Sequence, residues 1–180
     1  MSVYEIRSVA PEQLDEDLAA FVALLQDAVD GGASVGFVPP LDKDDARRYW
    51  AGVRAMVGAG TRILLAAVDE GEMLGSVQLD LATMPNARHR AEVMKLMVHG
   101  AARRRGIGRA LMLALEDAAR RADRRLLVLD TRVGDPAEQL YLALGYARAG
   151  VIPRYALSAA GTLDATVYMY RELAADRRDG

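Results

Sequence analysis

The sequence predicts an α/β fold of seven strands and about four helices, in the order strand, two helices, three strands, helix, strand, helix, two strands. Three observations carry this expectation. Apolar runs over residues 93–98 and 126–129 have the length of buried strands. Leu14, Leu18, Phe21, Val22 and Leu25 recur with the ~3.6-residue period of a helix that buries one face. The strings Asp69-Glu70-Gly71-Glu72 and Ser158-Ala159-Ala160-Gly161 separate strand-like runs as hairpin turns do.

In chain order, residues 3–9 read as the first strand and 11–30 as one amphipathic helix, followed by a Gly- and Pro-rich loop over 31–40. A second helix spans about 42–59, and strands over 62–69 and 73–82 flank the first hairpin turn. The fourth strand covers 91–98, and its alternation places Glu92, Met94, Leu96 and Val98 on one face. Ala110 opens an apolar helical stretch after the turn at 103–109, and the fifth strand covers 126–130. A fourth helix runs from Asp135 with Pro136 at its start to Gly145 at its stop. Strands over 151–157 and 164–171 close the order. The 180-residue chain suits one domain over 1–173 with a frayed tail at 174–180, and it contains no repeat, linker or low-complexity tract.

Composition narrows the function classes. Twenty-three Lys and Arg against 25 Asp and Glu give a net charge of −2, which does not suit a nucleic-acid surface. Arg120, Arg121, Arg124 and Arg125 read as a solvated helix end. No apolar run approaches the ~20 residues that span a membrane, and the start lacks a basic-then-apolar leader, so a cytoplasmic location is expected. Without cysteine there is no acyl-cysteine, thiolate metal site or disulfide. His89 and His99 are too few and too badly spaced for zinc, so no metal is expected, and no Gly-x-Ser-x-Gly elbow offers a serine nucleophile.

The most informative string is Arg103-Arg104-Arg105-Gly106-Ile107-Gly108-Arg109, between the fourth strand and the following helix. Glycines without Cβ atoms let backbone N–H groups approach an anion, the helix N-terminus adds partial positive charge, and the arginines add full charges. A solvated, arginine-rich helix start is the alternative. A Walker A loop would need Lys-Ser/Thr after the glycine and a dinucleotide fingerprint a third glycine, where this chain has Arg109 and Leu111. The spacing Arg103-x-x-Gly106-x-Gly108 after a strand resembles the acetyl-coenzyme A signature of the GCN5-related N-acetyltransferase (GNAT) superfamily. The string Ala137-x-x-x-Tyr141-x-x-x-Gly145-Tyr146 is similar to the family's second motif.

The resemblance implies the acetyltransferase fold over essentially the whole chain: a mixed, mostly antiparallel sheet splayed between strands 4 and 5. It implies acetyl-CoA as donor, with the pyrophosphate at Arg103, Arg104, Arg105, Gly106, Ile107, Gly108, Arg109 and Ala110. The pantetheine arm would pair with the backbone of Leu96, Met97 and Val98 and lie beside Ala137. Tyr141 falls where the family protonates the departing thiolate, its alternative being a core tyrosine. One departure is Gly134, where many members carry an Asn that hydrogen-bonds the coenzyme.

Amine acetylation needs a neutral nitrogen, yet an alkylamine of pKa ~10.4 is protonated at neutral pH, so a base or proton-draining water chain is required. Glu92 stands eleven residues before Arg103, the spacing at which histone-acetylating members place a general-base glutamate. An ion pair with Arg90 or Lys95, or a wet strand end, is the alternative. Blocks such as Tyr49-Trp50, His89-Arg90-Ala91-Glu92-Val93 and Leu129-Asp130-Thr131 resemble the tabtoxin-resistance branch, which acetylates an amino-acid-like antibiotic. That branch implies an acceptor site at Trp50, His89, Asp130 and Tyr155, with Arg154 or Arg90 free to meet a carboxylate. Core packing for Trp50, structural hydrogen bonding for His89 and Tyr155, and turn formation for Asp130 are the alternatives. The expected function is direct acetyl transfer to the primary amine of a small molecule by a monomer or homodimer. A peptide N-acetyltransferase and a non-catalytic acyl-CoA sensor are the competing classes.

Overall fold

The β2–β3 hairpin shows why the sheet is covered on both sides. In β2 (Arg62–Asp69), Leu65 and Ala67 pack into one core while Leu64, Ala66 and Val68 pack into another, so an unbroken apolar run serves both faces. In the computed structural model, which describes residues 4–174, seven strands form one sheet ordered β1-β2-β3-β4-β5-β7-β6. The other strands are β1 (Glu5–Ser8), β3 (Glu72–Leu81), β4 (Arg90–Val98), β5 (Leu126–Arg132), β6 (Ala147–Leu157) and β7 (Leu163–Glu172). All neighbours are antiparallel except β4 and β5. Helices α1 (Pro11–Glu16), α2 (Leu18–Asp30) and α3 (Lys43–Gly58) cover one face; α4 (Ile107–Arg121) and α5 (Pro136–Ala143) cover the other. None of the described helices is long and apolar enough to cross a membrane. Of the tail expected at 174–180, residues 175–180 lie outside the described residues.

Two local expectations are corrected. The single helix over 11–30 is two, divided at Asp17, whose φ of −95° and ψ of 11° leave the helical path. Asp17 competes with helix continuation: its carbonyl accepts from Ala20 and Phe21 to start α2, and its carboxylate pairs with Arg7 of β1. The second correction concerns β4. Gln78 of β3 faces Met94 and Ser76 faces Met97, so three steps on β4 oppose two on β3. This bulge centres on Lys95 at φ +52° and reverses the alternation. Glu92 and Met97 share the α1–α3 face, while Val93, Leu96 and Val98 pack toward α4, so Glu92, Met94, Leu96 and Val98 do not form one face.

Trp50 on α3 is fully buried, its ring 4.7 Å from Phe21 and 5.2 Å from Tyr49. Truncation would leave a large cavity among side chains that cannot close it. Trp50→Ala is therefore expected to lower unfolding free energy by about 3–5 kcal/mol in urea titration.

Candidate active site

The site grows from a strand pairing that stops early. β4 and β5 pair only at Arg90 with Leu126, Ala91 with Leu127 and Glu92 with Val128. Beyond that point the β5-facing edge of β4 through Leu96, Met97 and Val98 has no strand partner among the described residues. Backbone groups left this way need other hydrogen bonds, which an amide-bearing ligand can supply.

The wedge opens toward the glycine turn. Gly106 caps α4 at φ +78°, and no side chain caps the helix start, leaving the first-turn N–H groups available for an anion. A Cβ on Gly108 would lie 3.4 Å from Leu140 of α5 and 3.8 Å from Val98, so the turn, β4 and α5 meet across bare backbone. The loop is fastened from below: Gly100 N donates to Asp27 of α2 at 2.8 Å, and Arg103 Nε to the Val98 carbonyl at 3.3 Å. Arg103, Arg104 and Arg109 remain exposed, and Arg105 pairs with Asp69 at 3.3 Å. The buried Ile107 side chain belongs to the core, so only its backbone is left for a ligand. A pantetheine diphosphate fits these features: an uncapped helix start, flanking arginines and an unpaired strand edge. Gly106→Val forces a branched residue into a left-handed conformation, and coenzyme A affinity measured by calorimetry is expected to fall about tenfold while the fold survives.

Tyr141 projects from α5 into the α4-side core, 6% exposed, with its ring 5.8 Å from that of Tyr146. Burial, then the carboxylates of Asp130 and Asp135, push its phenol well above the ordinary range, so it stays protonated. Ala137, one turn earlier, packs against the same core. Gly134 precedes α5 at φ +83°, and its N–H donates to Glu138 at 2.7 Å rather than a side chain reaching outward.

On the α1–α3 face lies a half-open cavity of about 390 Å³, bordered on one side by the loop that joins α2 to α3. Gly36, Phe37, Lys95, Asp130, Arg132 and Tyr155 line it, so Asp130 and Tyr155 come together although far apart in sequence. Asp130 Oδ2 accepts from Thr166 at 2.9 Å, and the Tyr155 and Tyr168 hydroxyls are 2.7 Å apart. Arg132 ties the loop to the sheet through the Gly32 carbonyl at 3.1 Å and Asp135 at 2.8 Å.

Glu92 stands at the last paired position of β4, the apex of the wedge. It lines a neighbouring cavity of about 420 Å³ with Asp80, Arg90 and Met84. Burial first, then the carboxylates of Asp130 and Asp80, raise its pKa above the ordinary carboxylate value, with Arg90 and Lys95 opposing. Lys95 is shifted downward, first by burial and then by Arg62.

Four residues expected at or beside the acceptor site stand elsewhere. Trp50 is enclosed in the core with no surface to offer. His89 precedes the closed end of the β4–β5 pairing, where its carbonyl accepts from Arg125 at 2.7 Å and Leu126 at 3.0 Å. Arg154, at φ +55° in β6, is not among the residues lining either cavity, and Arg90 lines only the Glu92 cavity. Sequence reasoning missed Lys95 and Arg132, which line the cavity. Strand alternation alone would turn Lys95 away from this face; no sequence signal marks the bulge that turns it inward.

The sequence model of the acetyltransferase (GNAT) family matches residues 5–146. The chain belongs to this family. An N-acetyltransferase from the hisH-hisA intergenic region of Azospirillum brasilense is 34% identical over 118 residues, covering 64% of this chain and 68% of that relative. An acetyltransferase from Salmonella typhimurium, solved with its cofactor acetyl-CoA, superposes with a TM-score of 0.77 at 21% identity, over 96% of this chain and 95% of the other. A GCN5-related N-acetyltransferase from Kribbella flavida gives a TM-score of 0.78 at 26% identity, over 94% and 98%. As a GNAT member the protein is an acyltransferase of the N-acetyltransferase class, with acetyl-CoA as donor.

Proposed function

We propose that the protein acetylates the primary amine of a small, amino-acid-like molecule, antibiotic-like amines included, by direct transfer within a ternary complex. The observation that carries this reading is the half-open, concave cavity of about 390 Å³ beside the wedge, whose size suits a small molecule. Acetyl-CoA supplies an activated acyl carbonyl and a thiolate leaving group. The backbone edge of Leu96, Met97 and Val98 holds its amide arm, and the turn from Arg103 to Ala110 holds its phosphates. Glu92 lines the neighbouring cavity, so it accepts through water the proton that the acceptor ammonium must lose before its nitrogen attacks; its raised affinity for a proton suits that task. The new C–N bond forms as the C–S bond breaks. Tyr141, held protonated by burial, gives its proton to the departing sulfur and is reprotonated by the second proton that the nitrogen loses as the amide forms. Asp130 and Tyr155 border the acceptor.

The experiment is a thiol-release assay with a mass-spectrometric product readout, run without acceptor, with small amines and with peptides. Turnover with small amines supports the proposal. Turnover with peptides alone overturns it in favour of a peptide acetyltransferase, and coenzyme binding without turnover on any acceptor favours a sensor.

A further inference from the structure

We propose that Lys95 is the anchor for a carboxylate on the acceptor, so that the cavity selects zwitterionic, α-amino-acid-like molecules over amines lacking an acid group. This rests on the small-amine reading above and names its substrate class. The first observation is the bulge: at φ +52° Lys95 takes a conformation that L residues seldom adopt, and this turns its side chain to the cavity on the α1–α3 face. The second is the room left for it. Gly36, at φ +85°, presents bare backbone to the ammonium, and a Cβ there would come within 3.2 Å of Lys95 Nζ. Lys95 is half-buried, and among the described residues its ammonium pairs with no carboxylate; the Tyr49 ring, 5.9 Å from Nζ, is its aromatic neighbour.

The other cation of the cavity is already engaged. Arg132 binds Asp135 at 2.8 Å, Asp164 at 3.6 Å and the Gly32 carbonyl at 3.1 Å. Lys95 is therefore the cation left to meet an incoming anion, where partial exclusion of water strengthens the pairing. Asp130 lines the same cavity and engages Thr166 through Oδ2 alone, leaving Oδ1 for an ammonium. One uncommitted cation and one carboxylate oxygen in a shared cavity complement an acceptor that carries both charges.

The test uses free amino acids against the same amino acids as carboxamides, which keep the α-amine and lose the negative charge. The parent protein is expected to favour the free acids in kcat/KM. Lys95→Met is expected to reduce that preference about 10- to 100-fold, mainly through KM, and Lys95→Arg to retain most of it. The differing amine pKa values of acid and amide cancel when variant and parent preferences are compared. If Lys95→Met melts too low to assay, Lys95→Gln provides the same comparison. A preference unchanged in the Met or Gln variant overturns the proposal. So does a parent that acetylates carboxamides as readily as free acids, and that outcome leaves the small-amine reading standing. Acetylation of peptides with no turnover on either amino-acid series overturns both.

Discussion

Glu92→Gln is expected to lower kcat/KM for a strongly basic amine by roughly 10²–10⁴, the usual worth of a positioned general base. The substitution keeps the shape of the side chain and removes its proton acceptor, so coenzyme affinity is expected to stay the same. The pH profile separates proton transfer from positioning. In the parent, activity is expected to fall as pH drops through the raised Glu92 pKa, because protonation removes the base; the Gln variant lacks that limb. Toward the acceptor's own pKa the variant's deficit shrinks, since more amine arrives neutral. A deficit constant across that range would assign Glu92 to positioning. Stability provides an independent control. A carboxyl whose folded pKa lies above its unfolded value contributes stability below the unfolded pKa and loses it as pH rises through the folded one. Glu92 is solvent-exposed, so water screens most of this effect, and Glu92→Gln is expected to leave Tm close to that of the parent at neutral pH. A fall in Tm that tracks the lost rate would mean that Glu92 is structural.

The parts of this fold legible in the sequence are those governed by local physics. The glycine turn, the helix from Pro136 and the β2–β3 hairpin, with Glu70 and Gly71 both at positive φ, each follow from residues within a few positions of one another. The break at Asp17 was hidden because the apolar period runs through it; a partner on a distant strand, Arg7, helps fix it. The bulge at Lys95 was illegible for a stronger reason: it places a lysine where glycine would be the usual signal. With the parity of β4 reversed there, the face that carries Glu92 regains Lys95 and Met97 and loses Leu96 and Val98. Acceptor residues fared worst because sequence neighbours diverge in space. His89 and Glu92 are three residues apart, yet the β4–β5 pairing sets His89 behind the closed end and Glu92 at the apex. Asp130 and Tyr155, by contrast, meet across β5, β7 and β6, a proximity that no local pattern encodes.

Tyr141→Phe is expected to cut kcat by roughly 10²–10³ while leaving coenzyme A affinity and the melting temperature near those of the parent, which is the signature of a lost proton donor. The ring is what the core uses: it packs beside Tyr146 and against the α4-side cluster, and phenylalanine preserves those contacts. The hydroxyl adds a proton that burial and the carboxylates of Asp130 and Asp135 prevent from leaving at neutral pH, so it is present in every molecule when sulfur departs. The discriminating measurement varies the leaving group. A donor thioester whose thiol has a low pKa needs no proton to depart, so the gap between Tyr141→Phe and the parent is expected to narrow with such a donor. An equal loss with both donors would point to misplaced substrate, and full activity with acetyl-CoA would reduce Tyr141 to a packing residue. Were stability to fall without a change in rate, the hydroxyl would be satisfying the core instead, because removing one partner of a buried hydrogen bond is costly in itself.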